Sequence, residues 1–159
     1  MTTSEPFDTV VDGRRAYDNL MAATQRSLRV YDQDLSELAL DTPPRIEALR
    51  RLCLSGSNPR IEILLRDWAP VRDRQPGLMD LLRDFGHIVE IRQEEPMGDP
   101  PMESFCIGDD RMLLIRPHRE NWRGHLHRDD PIGCRVHLAT FSQLWQRSEG
   151  PLASRPLGL

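Results

Sequence analysis

The spacing of apolar residues along the chain predicts four helices. Tyr17, Leu20 and Met21 lie at positions i, i+3 and i+4, a spacing that places their side chains on one face of a helix. The same spacing recurs in three later segments, at 46–53, 78–85 and 138–145. Thr42 precedes the second apolar stripe and is placed to cap that helix. Gly86 directly follows the third stripe, so we expect the third helix to end there.

Short apolar runs between these helices have the length and composition of strands. Five such runs occur, at 27–32, 60–67, 88–92, 104–107 and 112–115. The second run is nearly continuously apolar, as in a strand that is covered on both faces. The last two runs flank the residues GDDR at 108–111, which is the pattern of a hairpin. The polar stretch 117–131 has room for one more strand.

The order αβαβαββ, closed by a final helix, predicts an α/β fold with a mixed, mostly parallel sheet flanked by helices on both faces. The 159 residues suit one domain. We place that domain at 10–149, between a flexible N-terminus at 1–9 and an extended tail at 150–159.

Composition excludes several kinds of chemistry and several locations. All 21 basic residues are Arg, so no lysine is present for a Schiff base, a phosphate-binding P-loop or a general base. The net charge of −4 argues against a protein that coats nucleic acid with its whole surface. The three cysteines are widely spaced, which favours the reducing cytoplasm over a disulfide framework. No apolar run approaches the ~20 residues that span a bilayer.

The segment 103–110 (ESFCIGDD) resembles the central motif of the phospholipase D-like superfamily, as it stands in one half of such a domain. That motif, H-x-K-x4-D, holds a nucleophilic histidine, a phosphate-holding lysine and an aspartate. In the matching register Glu103 occupies the histidine position and Phe105 the lysine position, while Asp110 matches the aspartate. Six residues later, 117–120 (PHRE) replaces the family's G-S/G-x-N element. The segment 141–145 (FSQLW) resembles the family's closing helix.

This resemblance covers 17–147 and implies a phospholipase D-like single half that has lost its catalytic residues. Hydrolysis of a phosphodiester needs a nucleophile flanked by fixed positive charge. The carboxylate of Glu103 would repel a phosphate, and Phe105 carries no charge. We therefore expect a non-catalytic module without a cofactor, which binds an anionic ligand or a protein partner. Related halves pair about a twofold axis, so the resemblance also implies a possible homodimer.

The segment 23–36 (ATQRSLRVYDQDLS) is similar to an uncharacterised proteobacterial family whose members often carry an acetyltransferase-like name. No glycine-rich pyrophosphate loop opens a helix after a strand in this chain. We therefore do not expect acetyltransferase activity. An interaction domain that acts beside an acetyltransferase stays open as a third possibility.

A basic run between residues 111 and 137 provides candidate ligand contacts. The segment contains six arginines and three acidic residues, so its formal charge is +3. Arginine forks suit bidentate phosphate binding, and a tryptophan among them can stack on a base. The alternative is that these arginines pair with acidic residues, within the chain or across a dimer. The candidate residues are Arg111, Arg116, Arg119, Trp122, Arg123 and Arg128.

A histidine pair gives the alternative function, a metal-dependent hydrolase. His125 and His127 at i and i+2 would lie on one face of a strand, as a metal pair requires. With Asp129 or Asp130 they approximate the H-x-H-x-D-H signature of metallo-β-lactamase-like hydrolases. That fold needs further metal-binding histidines downstream, and only His137 follows. Scattered histidines in a solvated loop are the competing interpretation.

Overall fold

The computed structural model describes residues 4–96, 98–99 and 101–153. In this part of the chain seven strands and five helices follow one another. Their bounds are β1 (Ser4–Phe7), α1 (Val10–Ala23), β2 (Ser27–Asp32), α2 (Pro43–Cys53), β3 (Arg60–Leu65), α3 (Ala69–Arg74), α4 (Pro76–Asp84), β4 (Val89–Gln93), β5 (Ser104–Gly108), β6 (Met112–Arg116), β7 (Gly124–His127) and α5 (Pro131–Gln146).

The strands form one mixed sheet in the order β1-β7-β6-β5-β2-β3-β4. Only the pairs β2–β3 and β3–β4 are parallel. The other four pairs are antiparallel. The mixed α/β class is therefore confirmed, while the expectation that the sheet is mostly parallel needs correction. No helix separates β5, β6 and β7 along the chain, and strands joined without a crossover pair antiparallel.

Helices cover both faces of the sheet, as predicted, and each face has its own apolar core. The larger core packs α1, α2 and α4 on one face and includes Leu20, Leu49 and Leu81. The smaller core lies under α5 on the other face, where Phe141 packs with Phe105. Successive residues of a strand point to opposite faces, so β5 contributes to both cores.

The bounds of β2 and the two hairpin strands agree closely with the prediction, but three features differ. The segment 1–9, expected to be flexible, contains β1, which pairs with β7 and buries Phe7. The short helix α3 lies in a segment where no helix was predicted. Thr42 does occupy the N-cap of α2, but its side chain makes no capping hydrogen bond among the described residues.

The predicted extended tail begins against the sheet. The backbone N–H of Leu152 donates to the carbonyl of Ile91 at 2.8 Å, and the Leu152 side chain is buried. Residues 154–159 of that tail, like residues 1–3, lie outside the described residues. Within the described ranges no helix has the length and apolar character needed to cross a membrane.

Candidate functional site

Three polar side chains form a row across neighbouring strands at one end of the sheet. Asp32 ends β2, Ser104 begins β5 and Arg116 ends β6. Ser104 pairs with Arg116 in the β5–β6 register, and its hydroxyl donates to Oδ1 of Asp32 at 2.9 Å. All three residues are buried. The row lies on the α1 side of the sheet, opposite Tyr31 and Phe105, because neighbouring residues of a strand alternate faces.

Asp32 is the buried acid of this row. The backbone N–H of Leu35 donates to its Oδ2 at 3.0 Å. Burial raises the pKa of Asp32 above its ordinary value, and the hydrogen bond from Ser104 and the positive charge of Arg116 offset only part of that rise. Leu35 itself has a φ of +67° and is fully buried, a backbone conformation that costs a bulky residue free energy. The turn after β2 is thus held around the Asp32 carboxylate.

Arg116 is the buried cation of the row, and its side chain is only 1% exposed. Its Nη2 donates to the backbone carbonyl of Arg119 and lies 3.3 Å from Oε2 of Glu37. Its Nε and Nη1 are buried and have no hydrogen-bond acceptor among the described residues. Unpaired buried donors, above all on a charged group, are costly and call for an explanation.

Trp122 lies over the Arg116 guanidinium, with 4.2 Å between Cζ and the centroid of its ring. Arg14 of α1 approaches the same ring at 5.7 Å and donates from Nε and Nη2 to the carbonyl of Glu37, at 2.9 and 2.8 Å. The ring can pack this closely on α1 because residue 13 is glycine. A Cβ atom there would lie 2.4 Å from Cε3 of Trp122.

A cavity of about 380 Å³ opens beside this row. Arg119 reaches it from the loop after β6 and is held by a hydrogen bond from its Nη1 to the carbonyl of Pro101 at 2.8 Å. The cavity therefore combines a buried ion pair, Asp32 and Arg116, with the exposed carboxylates of Glu37 and Glu120 at its mouth. Its lining residues are Asp32, Gln33, Asp34, Ser36, Glu37, Arg116, Arg119 and Glu120.

Tyr17 of α1 lies behind the row. Its hydroxyl is buried without a hydrogen-bond partner in the part of the chain that the structure describes. Burial raises the pKa of Tyr17, the negative charge of Asp32 raises it further, and Arg116 lowers it. The hydroxyl thus belongs to the electrostatic surroundings of Asp32 and Arg116.

The structure brings together only part of the predicted basic run. Arg116, Arg119 and Trp122 meet at the cavity. Arg111 lies at the opposite end of β6, about 17 Å away at the usual rise of a strand, and its Nη2 is 2.9 Å from Asp129. Arg128, at the same far end, pairs with Glu5.

Arg123 follows Trp122 and is exposed to solvent. The six candidate residues therefore do not form one continuous basic surface. Arg111 and Arg128 instead pair with acidic residues of the same chain. This is the alternative interpretation that the sequence left open.

The three motif positions lie away from the cavity. Phe105 is fully buried in the α5-side core, with ring centroids 5.4 Å from Tyr31 and 5.0 Å from His137. Oε2 of Glu103 lies 3.6 Å from Nε2 of His137. Asp110 sits in the β5–β6 turn with a φ of +58° and accepts a hydrogen bond from Nη1 of Arg29 at 2.7 Å.

The histidine pair lies on β7 as predicted, with both rings on one face. The rings of His125 and His127 stack with centroids 5.9 Å apart. Asp129 does not join them, because its carboxylate accepts a hydrogen bond from Arg111. Among the described residues no three His, Cys, Asp or Glu side chains come close enough together to hold a metal ion. The three ligands expected for the metal-dependent alternative therefore do not assemble.

The fold of the chain is that of phospholipase D-like α/β domains, because solved members of that family share it. This confirms the fold that the resemblance implied. Within that class the chain belongs to the family described as a domain of unknown function (DUF7931), whose model matches residues 10–157. No curated protein sequence matches the chain.

Several solved structures share the fold at low sequence identity. TrmBL2, an archaeal chromatin protein with a novel mode of DNA binding, is 14% identical with a TM-score of 0.66, over 92% of this chain and 53% of that one. Nuc from Salmonella typhimurium, a phospholipase D family member, is 11% identical with a TM-score of 0.62, over 94% and 97% of the two chains. NucT from Helicobacter pylori is 11% identical with a TM-score of 0.61, over 94% and 99%.

This chain thus spans about half the length of TrmBL2 and nearly all of Nuc and NucT. At these identities the likeness establishes the fold alone.

Proposed function

We propose that this chain is a non-catalytic phospholipase D-like module that binds an anionic group, a phosphate or a carboxylate, in the cavity beside Arg116. The observation that carries the proposal is the buried guanidinium of Arg116. Its Nε and Nη1 have no acceptor among the described residues, and the side chain lines the cavity. A phosphate or carboxylate supplies the acceptors that a guanidinium fork pairs with best.

The surroundings of Phe105 support the non-catalytic assignment. This side chain fills the position where the related motif holds a phosphate-binding lysine, and it is packed between Tyr31 and Phe141. The chain has no lysine elsewhere to take over that role. Glu103 has an imidazole as its close partner and does not line the cavity. A nucleophile flanked by fixed positive charge, which phosphodiester hydrolysis needs, is therefore not expected at these positions.

The cavity favours a small ligand over a nucleic-acid strand. Its volume of about 380 Å³ lies near the lower end for small-molecule sites. Carboxylates at its mouth repel a polyanion, and the arginines of the basic run lie at two ends of the sheet. Single-stranded DNA is still a useful probe, because one structural relative is described as a DNA-binding chromatin protein.

The test is a set of thermal melts with phosphate, acetate, polyphosphate and single-stranded DNA. A ligand at 100 times its Kd adds about 2.7 kcal/mol, which raises Tm by about 5–10 °C for a domain of this size. We expect phosphate or acetate to raise Tm in the wild type and in the exposed control Arg123→Gln. The rise is expected to disappear in Arg116→Gln.

Arg119→Gln gives a second test if Arg116→Gln does not fold, because the backbone carbonyl of residue 119 remains. It is expected to weaken the rise without changing the fold. If single-stranded DNA raises Tm and both Arg123→Gln and Arg116→Gln abolish that rise equally, binding in the cavity is contradicted. Hydrolysis of bis(p-nitrophenyl) phosphate by the wild type that is lost in Glu103→Gln would contradict the non-catalytic assignment.

A further inference from the structure

We infer that the ligand of this cavity is a compact zwitterion, in which an anionic group and an ammonium group are joined by a few atoms. This inference rests on the proposed function, because it needs Arg116 to bind the anionic end. It goes further by assigning the acidic mouth of the cavity to the ammonium end of the same molecule.

The charged residues that line the cavity differ in their exposure. Arg116 and Asp32 are buried, and the Asp32 carboxylate already accepts hydrogen bonds from Ser104 and Leu35. Arg119 and Asp34 are half-buried, whereas the side chains of Glu37 and Glu120 are exposed. An anion that enters alone reaches the unpaired donors of Arg116 but passes the exposed carboxylates, and a cation that enters alone meets the buried guanidinium. A molecule with both charges, anion inward and ammonium outward, matches the buried arginine and the exposed carboxylates.

Glu37 shows how such a ligand would fit. Its backbone is held in place, because Arg14 donates two hydrogen bonds to its carbonyl. Its side chain is 58% exposed, and the carboxylate lies 3.3 Å from Nη2 of Arg116. A side-chain carboxylate therefore already occupies one position for an anion on this guanidinium.

A ligand anion on Nε and Nη1 of Arg116 neutralises the guanidinium with which the Glu37 carboxylate pairs. That carboxylate then needs a new cationic partner, and the ammonium group of the same ligand supplies one. A ligand without an ammonium group leaves Glu37 without a partner and so binds less tightly. Because the cavity volume is about 380 Å³, we expect only a short chain between the two charged groups.

The test compares probes that differ by one charged group. γ-Aminobutyrate is compared with butyrate and with butylamine, and aminomethylphosphonate is compared with methylphosphonate. The two series also distinguish a carboxylate from a phosphorus acid as the anionic end. Isothermal titration calorimetry on the wild type is expected to give each zwitterion about fivefold tighter binding than its amine-free counterpart, as for an exposed ion pair. Butylamine is expected not to bind.

Substitutions of the mouth carboxylates test the assignment. Glu120→Gln is expected to reduce the preference for the zwitterion to about twofold and to leave the binding of the amine-free anion unchanged or tighter. Glu37→Gln removes the carboxylate that pairs with Arg116, so it is expected to tighten the binding of butyrate and to abolish the preference. Glu47→Gln, an exposed carboxylate on α2, is the matched control and is expected to keep the preference.

The outcomes separate this inference from the proposed function. Equal affinity for each zwitterion and its amine-free counterpart would overturn the inference and leave anion binding at Arg116 intact. A preference that persists in the Glu37→Gln, Glu120→Gln double variant would also overturn it. If no probe binds the wild type, the proposed function fails and the inference fails with it.

Discussion

The guanidinium of Arg116 stacks on the ring of Trp122 with 4.2 Å between Cζ and the ring centroid. One residue ends a strand and the other lies in the following loop, so the contact fixes that loop over the end of the sheet. The attraction between a cation and an aromatic face is strongest where water is excluded, and Arg116 is fully buried.

Gly13→Ala is expected to destabilise the protein although alanine is the better helix former. An alanine in a helix gains about 1 kcal/mol over glycine, but its Cβ would lie 2.4 Å from Trp122. Overpacking of this kind costs about 1–3 kcal/mol. Urea unfolding of Gly13→Ala should therefore show a lower midpoint. Adding Trp122→Leu to Gly13→Ala should recover part of the lost stability. If Gly13→Ala is instead more stable than the wild type, the Trp122 ring can move away from the added Cβ and the prediction is wrong.

Ser104→Ala is expected to destabilise the fold more at neutral than at acidic pH. A hydrogen bond to a charged group contributes about 1.5–3 kcal/mol, and the Ser104 hydroxyl donates to the buried carboxylate of Asp32. This bond lowers the pKa of Asp32, which means that it favours the charged form. Its contribution is present above that pKa and is lost as the pH falls through it.

The measurement is the free energy of unfolding of wild type and Ser104→Ala at pH 7 and pH 4. Ser55→Ala, at an exposed serine, is the control and should change stability by less than about 0.5 kcal/mol. If Ser104→Ala lowers the free energy of unfolding more at pH 4 than at pH 7, the hydrogen bond does not favour the charged form of Asp32 and the prediction is wrong.

Phe105→Lys, which restores the lysine of the related motif, is expected to unfold or severely destabilise the protein. The ring is completely buried, so the substitution removes core packing worth about 3–5 kcal/mol and buries an unpaired charge. Phe105→Leu serves as the control and should cost far less. Chemical denaturation measures both, and a stable Glu103→His, Phe105→Lys protein that hydrolyses a phosphodiester would contradict the packing argument.

The three cysteines are expected to resist thiol reagents at neutral pH. All are buried, and burial raises the pKa of Cys53 to about 11 and that of Cys134 to about 12. Only the thiolate reacts, so labelling by Ellman's reagent should be slow at pH 8 and should rise about tenfold per pH unit.

Burial of the three thiols should also make the free energy of unfolding fall at alkaline pH. Because the folded pKa values exceed the unfolded value near 8.5, stability is retained below pH 8.5 and is lost as the pH rises toward 11. Cys53→Ala should make this fall shallower. Fast labelling at pH 7 without denaturant would show that a thiol is reached by local opening.

The elements that could be predicted from the sequence are those that their own apolar residues specify. The stripe Tyr17, Leu20, Met21 identifies α1, and alternation identifies β2 to the residue. The strands β1 and β7 were harder, because SEPF and GHLH have few apolar residues. Their pairing with each other and with β6 stabilises them, and such pairing is a tertiary effect that local composition does not encode.

The site was predictable only in part for a similar reason. Asp32 and Ser104 are 72 positions apart in the chain, and only the sheet register brings them together. Composition treats Arg116 and Arg123 alike as members of one basic run. Strand parity distinguishes them, since Arg116 falls on the same face of β6 as the buried Met112 and Leu114. That alternation was the available signal for a buried arginine.

The stacking of Trp122 on Arg116 gives the molecule a built-in optical reporter. The chain has three tryptophans, and the other two lie elsewhere: Trp145 packs on Phe141 and Trp68 borders the larger core. An anion that reaches Arg116 changes the electric field at the indole directly above it. In a Trp68→Phe, Trp145→Phe protein, the emission of the remaining indole would therefore follow occupancy of the cavity without any attached dye.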